Sequence, residues 1–324
     1  MAAFLTRRLA QGAVVALLAA TIVFFLIRLA PGDPFAASID NPNVSPAVRA
    51  QWREAYGLNL SAPRQYVRYV SSVARGDLGF SFSLQRPVKD VLAEALPNTL
   101  SLMVVALAFS FFAGIAVALA QVRNRGGVRD RALGGLSLLL FSVPDFWLAL
   151  LMLVSFAYWI PLFPIGGATD PVAYDVLSPA GKAADRLRHL ILPAVTLMLL
   201  YFPLIARHQR AALLDALPSD YVATARAKGV PERTVLNRHV LRNALLPVIG
   251  LVGLAFPALL TGAVFVETVF SWPGMGLVIV KAIGTRDYQL LTASVLVGSV
   301  FVVAGSILAD VLYRVFDPRV RNEL

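Results

Sequence analysis

The chain has 324 residues, 58 % of them hydrophobic and 15 % charged, with a mean hydropathy of +0.70. A soluble domain carries about 25 % charged residues and a single core stops growing at roughly 250–300 residues, so this composition argues against a water-soluble enzyme, a disordered chain or a fibre. The net charge of +10 fits either a nucleic-acid partner or the basic cytoplasmic loops of a membrane protein, and the absence of cysteine excludes disulfides, thiol catalysis and cysteine-ligated metal.

A bilayer core about 30 Å thick requires about 20 apolar residues in a helix. Residues 9–30 form the first such stretch, with Arg28 near its end. Arg7 and Arg8 precede it as they would in a signal peptide. However, the apolar run exceeds the usual ~7–15 residues, and Ala30-Pro31-Gly32-Asp33 offers no small-x-small cleavage site. A retained anchor, residues 1–30, is expected.

The following loop, 31–98, is too long for a connector and is expected to form an ordered extracytoplasmic cap. Residues 46–56 read as a short helix with Ser45 placed to cap it and Pro46 at its first position. Residues 63–74 read as a second helix, and Gly76-Asp77-Leu78-Gly79 as a turn. Trp52, Tyr56, Tyr66, Tyr69, Phe80 and Phe82 are too apolar for a floppy hydrophilic loop.

Residues 95–122 carry no charge, and 133–159 only Asp145. That lone carboxylate is a functional candidate by its depth. Ser142-Val143-Pro144-Asp145 also fits a capping box for a helix restarting at a proline break. Residues 189–206 form the fourth stretch.

The segment 207–246 is the most informative. Ser219 or Asp220 is placed to cap a short helix over 221–228, and Gly229 to end it in the left-handed conformation. Pro231 then opens a second helix with Val235, Leu236 and Val240 on one face and Arg238 and Arg242 on another. A helix of about eight residues is marginal alone in water, so it needs a surface, and the chain offers little other cytoplasmic mass. Docking of a partner and a solvated basic loop near lipid head groups are the two readings. The fifth and sixth stretches are 243–266 and 288–309. Glu267, at the outer end of the fifth, is expected to meet water or substrate.

Six spanning helices result. With the N-terminus inside, cytoplasmic segments hold Arg7, Arg8, Arg123, Arg125, Arg129, Arg131, Arg207, Arg210, Arg226, Lys228, Arg233, Arg238, Arg242, Arg314, Arg319 and Arg321. The two short outer loops hold only Lys182, Arg186, Arg188, Lys281 and Arg286. Both termini are therefore expected in the cytoplasm, and the charge excess becomes a topology signal rather than a nucleic-acid footprint.

No phosphate loop is present, since Gly181-Lys182 is followed by Ala183, and neither H-E-x-x-H nor G-x-S-x-G occurs. His189, His208 and His239 fall on both sides of the membrane and make no metal cluster. An intramembrane hydrolase has no visible nucleophile and base. An ion-coupled secondary transporter, the alternative to an ATP-driven one, would show more buried charges and repeated broken helices.

From end to end the chain resembles the permease subunits of ATP-driven, binding-protein-dependent importers, in the dipeptide/oligopeptide/nickel branch. The resemblance rests on Pro31-Gly32-Asp33-Pro34, Gly76-Asp77-Leu78-Gly79-Phe80-Ser81, Pro87-Val88 and Leu96-Pro97-Asn98-Thr99-Leu100. It continues through Asp220-Tyr221-Val222-Ala223-Thr224-Ala225-Arg226-Ala227-Lys228-Gly229, Leu241-Arg242-Asn243-Ala244-Leu245-Leu246-Pro247, Glu267-Thr268-Val269-Phe270-Ser271-Trp272-Pro273-Gly274 and Asp317-Pro318-Arg319-Val320-Arg321.

The resemblance implies an all-α permease core over 99–316, a tail over 317–324 and a coupling loop, 207–246, that sits in a groove of an ATPase subunit. Its contact residues would be Asp220, Tyr221, Ala223, Thr224, Ala225, Arg226, Lys228 and Gly229. Where the wider superfamily begins this loop Glu-Ala-Ala, this chain has Ala223, Thr224 and Ala225, so that Glu's salt bridge is not carried over. The resemblance further implies a second homologous permease, two ATPase subunits that hold the ATP and Mg, an extracytoplasmic substrate-binding protein, no cofactor on this chain and no covalent chemistry. The expected location is the bacterial inner membrane, embedded in lipid. The substrate would be peptides or a related small solute such as a nickel chelate or a glutathione-like compound. Asp145 and Glu267 remain candidates for pathway or structural roles.

Overall fold

The computed structural model describes residues 2–29, 45, 47, 54 and 59–316. The helix expected over 46–56 and the tail 317–324 lie outside the described residues. Helix α1, Ala2–Leu29, carries the first apolar stretch, and α2, Ala62–Ala74, follows in the loop beyond it. A two-residue hairpin, β1 Phe80–Ser81 against β2 Arg86–Pro87, leads directly into α3, Val88–Arg123. Helices α4, Val128–Ser142, and α5, Asp145–Leu153, come next, the second continuing as a π turn over Val154–Trp159.

After a short 3-10 turn at Tyr174–Val176, α6 spans Pro179–Ala216. Helix α7, Asp220–Ala227, precedes α8, Glu232–Thr234, a π turn over Val235–Val240 and α9, Leu241–Ala244. Helices α10, Leu246–Val269, α11, Met275–Gly284, and α12, Tyr288–Phe316, complete the chain.

By length and composition, Thr6–Ile27, Val88–Arg123, Pro179–Ala216 and Tyr288–Leu308 are long and apolar enough to cross a membrane. Val128–Ser142 and Asp145–Trp159 make a fifth if they are one span, but they bend by 105° at their break. The expected fifth stretch, 243–266, falls mainly within the 24-residue α10. Hydropathy understates α6 most. It runs 38 residues, about 57 Å at 1.5 Å per residue, because Lys182, Arg186, Arg188, Arg207 and Arg210 at its ends interrupt the apolar run without interrupting the helix. Ser178 starts it, accepting a 3.2 Å hydrogen bond from the Gly181 N–H, with Pro179 in the first turn.

The chain divides into two compact units, Met1–Thr99 with Pro273–Ala304, and Leu100–Trp272 with Gly305–Leu324. In the first, α2 lies on α1 through aromatic contacts. Tyr69 stacks on Phe24 at 5.4 Å, Tyr66 meets Phe24 edge-on at 5.3 Å, and the Tyr66 hydroxyl is 2.7 Å from Thr21 Oγ1. Of the aromatic residues that argued for an ordered loop, Tyr66 and Tyr69 thus pack on α1, while Trp52 and Tyr56 lie outside the described residues.

The Gly76–Gly79 turn forms with both glycines at positive φ and Asp77 Oδ1 accepting from the Gly79 N–H. Phe80 N–H then donates to Gln289 Oε1 at 2.8 Å. At the head of α3, Asn98 donates to the Pro273 carbonyl at 2.9 Å, and the Met275 N–H donates to Thr99 Oγ1 at 2.7 Å. The Leu96-Pro97-Asn98-Thr99 motif thus holds the turn into α11, a helix that hydropathy did not reveal.

In the second unit the core is built on α6, with α10 and α5 packed against it. Leu102, Met103, Leu148, Leu197, Phe270 and Trp272 are among its buried side chains. Gly167 N–H donates to the Phe270 carbonyl at 2.9 Å, and a Cβ on Gly166 would lie 2.7 Å from the same oxygen. A side chain there would force this loop off the Phe270–Trp272 turn.

Candidate functional site

Helix α7 starts after Ser219, whose backbone is extended at φ −72° and ψ 152°. Ser219 occupies the capping position, yet its hydroxyl donates backwards to the Ala216 carbonyl and makes no cap bond. The far end follows expectation closely. Gly229 has φ +74°, its N–H donates to Arg226 O, and the Val230 N–H donates to Ala225 O. These two bonds are the Schellman arrangement that closes a helix with a left-handed glycine.

The helix has two faces. Val222 and Ala225 are buried in a second apolar cluster with Ala118 and Val122 of α3, Leu213 of α6 and the residues that follow in the loop. Val235, Leu236 and Val240 join the same cluster, as their spacing predicted. The surface that a helix this short needs is therefore supplied by the chain itself, from the ends of α3 and α6, on one side only. Tyr221, Ala223, Thr224, Ala227, Lys228 and Gly229 are exposed on the other.

Of the residues singled out for coupling, Asp220 opens the helix and Thr224 bonds back to its carbonyl at 2.9 Å. Ala225 faces inward. Arg226 is exposed but engaged, its guanidinium gripping Glu232 through Nε–Oε2 at 3.1 Å and Nη2–Oε1 at 2.7 Å. The paired guanidinium holds the Glu232 carboxyl below the usual carboxylate range. This pair bridges the Gly229–Pro231 turn and was not foreseen; the signal was a cation and a carboxylate on either side of a Gly-Val-Pro turn. Gln209 was missed as well. It is fully buried in α6 and donates to the Ala244 carbonyl at 3.1 Å, tying α6 to α9. A groove of about 930 Å³, lined in part by Tyr221, Asp215, Asn243 and Pro247, opens beside the exposed face.

Asp145 and Glu267 are not brought to this region. The break before Asp145 is real, with Val143 and Pro144 extended, but the capping box is absent. Ser142 donates to Leu138 O in its own helix instead, and Asp145 occupies the first turn of α5 without a side-chain cap bond. A carboxylate there faces the positive end of the helix dipole. Glu267 corrects the expectation of contact with water, because it is fully buried at the end of α10. The turn Phe270–Trp272 folds back over it, and the Trp272 N–H reaches the Glu267 carbonyl at 2.8 Å.

Comparison with known proteins gives this geometry its context. The profile described as "Binding-protein-dependent transport system inner membrane component" matches residues 110–322, and its N-terminal companion matches residues 1–103. The oligopeptide transport system permease protein AppB of Bacillus subtilis is 36 % identical over 321 residues, 99 % of each chain. The dipeptide transport system permease protein DppB of Escherichia coli K12 is 35 % identical, covering 93 % of this chain and 94 % of that one. Among solved structures, the inward-facing MetNI methionine ABC transporter aligns with a TM-score of 0.56 at 18 % identity, over 70 % of this chain and 96 % of that one, and shares the fold. These relatives give no support to an ion-coupled transporter. The chain belongs to the inner membrane components of binding-protein-dependent transport systems: it is a multi-pass, non-catalytic permease subunit of an ABC importer that works with separate ATPase subunits and a substrate-binding protein.

Proposed function

We propose that this permease forms half of a translocation pathway for peptides or a related small solute, and that α7 is its contact with the ATPase. The names of its full-length relatives support the peptide class. The observation that carries the coupling role is the two-faced α7. Val222 and Ala225 anchor it to the ends of the long helices, while Tyr221, Thr224, Lys228 and Gly229 are presented outward. A push on that exposed face is transmitted to α3 and α6 through close-packed side chains, which do not deform continuously. Ala223 lies on the same presented face, while Asp220, Ala225 and Arg226 shape and hold the helix.

In the full assembly a second, homologous permease supplies the other half of the pathway. Two ATPase subunits bind the ATP and Mg, and no nucleic acid takes part. Six spans place both termini in the cytoplasm. A reporter active only outside the cytoplasm, fused after Asp175, is expected to be active and one fused after Glu232 inactive. The opposite pattern overturns the orientation.

The functional test is reconstitution of the permeases, the ATPase subunits and the binding protein in proteoliposomes. Uptake and substrate-stimulated ATP hydrolysis are expected together, and both disappear without the ATPase. Uptake driven by an ion gradient alone sinks the proposal. Thermal shifts of the binding protein with dipeptides, longer peptides, nickel chelates and glutathione identify the solute.

A further inference from the structure

A second pocket, of about 590 Å³, lies between α4 and α6 in the same unit. Its volume is that of a small-molecule site, and its lining is graded. At one end stand Arg131, Arg207, His208 and the Asp130–Arg210 pair, the last joined through Nε–Oδ1 at 3.2 Å and Nη2–Oδ2 at 2.9 Å. At the other end are Leu138, Phe141, Pro203 and Leu204.

The two helices give the same gradient independently. On α4 the polar residues come first and the apolar ones follow. On α6, which returns in the opposite direction, the apolar residues come first. Leu138 and Phe141 remain 66 % and 62 % exposed. Asp130 is paired with Arg210, but among the described residues neither the Arg131 nor the Arg207 guanidinium has a hydrogen-bond or ion-pair partner. Between the two ends, the Ser137 hydroxyl is buried and has no hydrogen-bond partner among the described residues.

A ligand that matches this pocket carries an anionic group for two unpaired guanidiniums, a hydrogen-bonding group for Ser137 and an apolar tail for the Leu138–Phe141 surface. We propose that the pocket binds the headgroup of an anionic phospholipid of the cytoplasmic leaflet, its phosphate between Arg131 and Arg207 and its acyl chain along Leu138, Phe141 and Leu204. Basic pockets between spanning helices on the cytoplasmic side select such headgroups, whereas a free phosphate leaves the apolar half uncovered. The leaflet follows from the orientation proposed above, which the reporter fusions test separately.

The test is native mass spectrometry of the assembled permease–ATPase complex from nanodiscs of phosphatidylcholine mixed with phosphatidylglycerol. The unmodified complex is expected to retain phosphatidylglycerol in preference to phosphatidylcholine. The double variant Arg131→Gln/Arg207→Gln is expected to bind it roughly tenfold or more weakly, given about 1 kcal/mol for each cation near an anionic surface. Arg131→Lys/Arg207→Lys is expected to keep the preference.

Three results overturn the proposal. One is retention of both lipids alike by the unmodified complex. Another is displacement of phosphatidylglycerol by inorganic phosphate or glycerol phosphate, which identifies a free-anion site. The third is unchanged lipid binding in the Gln variant with a raised KM for uptake, which puts the pocket on the solute's path. The first two need no variant to fold, and lipid retention is read without transport, so its failure leaves the proposed function standing.

Discussion

The carboxylate of Asp287 accepts a 2.6 Å hydrogen bond from the hydroxyl of Ser81, a residue 206 positions earlier. Its Oδ2 also accepts from the Ser83 N–H at 3.1 Å and hydroxyl at 2.8 Å, and its Oδ1 from the Leu290 N–H at 3.1 Å. One buried carboxylate therefore fastens the hairpin to the start of α12. Asp287→Ala strands the buried Ser81 hydroxyl and Leu290 N–H, while the exposed Ser83 can turn to water, and each buried unsatisfied group costs about 1–3 kcal/mol. A fall of at least about 2 kcal/mol in stability is expected, read as earlier thermal unfolding of the purified permease and lower membrane abundance. Asp287→Asn, which keeps an acceptor oxygen, is expected to be milder. An Ala variant as stable as the parent removes Asp287 from this role.

Gly229 has φ +74° and, its chain neighbours aside, no atom of the described residues within 4 Å of where a Cβ would stand. Strain from Gly229→Val is therefore a backbone cost, about 1–2 kcal/mol. Membrane abundance and pairing of the permeases are expected near normal, while ATPase pull-down and substrate-stimulated hydrolysis fall strongly. Gly229→Asn tolerates the left-handed conformation and separates strain from obstruction by the partner. Tyr221→Ala is expected to give a weaker version of the Val defect. Full hydrolysis and uptake in Gly229→Val returns α7 to a solvated basic loop.

Tyr69 carries a buried hydroxyl with no hydrogen-bond partner among the described residues, and burial first, then the neighbouring Tyr66, push its phenol from 10.0 up to about 12. A raised folded value means that its contribution is fully present below the unfolded value of 10.0 and is lost as pH climbs towards about 12. Tyr69→Phe is expected to leave thermal stability unchanged or improved and to remove that alkaline loss. Tyr69→Ala is expected to cost about 3 kcal/mol through lost packing on Phe24. A destabilised Phe variant would mean that the hydroxyl has a partner after all.

Asp145 is the first residue of α5 and makes no side-chain cap bond. Its benefit is confined to the dipole term of about 0.3–1 kcal/mol. Asp145→Asn is therefore expected to retain most uptake per assembled transporter. An inactive variant at normal abundance would assign Asp145 to the solute's path.

Some of this was legible in the residues alone because it depends only on near neighbours. A long apolar run closes its backbone hydrogen bonds within itself, so the long helices could be read from hydropathy. Gly229 before Pro231 could be read as a left-handed helix end because that geometry is set within six residues. The same holds for the Gly76–Gly79 turn and for Val235, Leu236 and Val240 sharing a face.

Other features required the tertiary structure. Hydropathy put Glu267 at the surface, and the Phe270–Trp272 turn buries it. Seven charges or none, Pro179–Ala216 is one helix, since a charge at a helix end disturbs solvation and not the hydrogen-bond ladder. Ser142 looked like a cap and serves its own helix, the competing acceptor being one turn away. Which face of α7 is held and which is presented was undecidable from an eight-residue pattern, because Ala118, Val122 and Leu213 lie up to about a hundred positions away along the chain. Local backbone geometry is written in adjacent residues; burial, pairing and the exposed face are properties of whatever distant segment packs alongside.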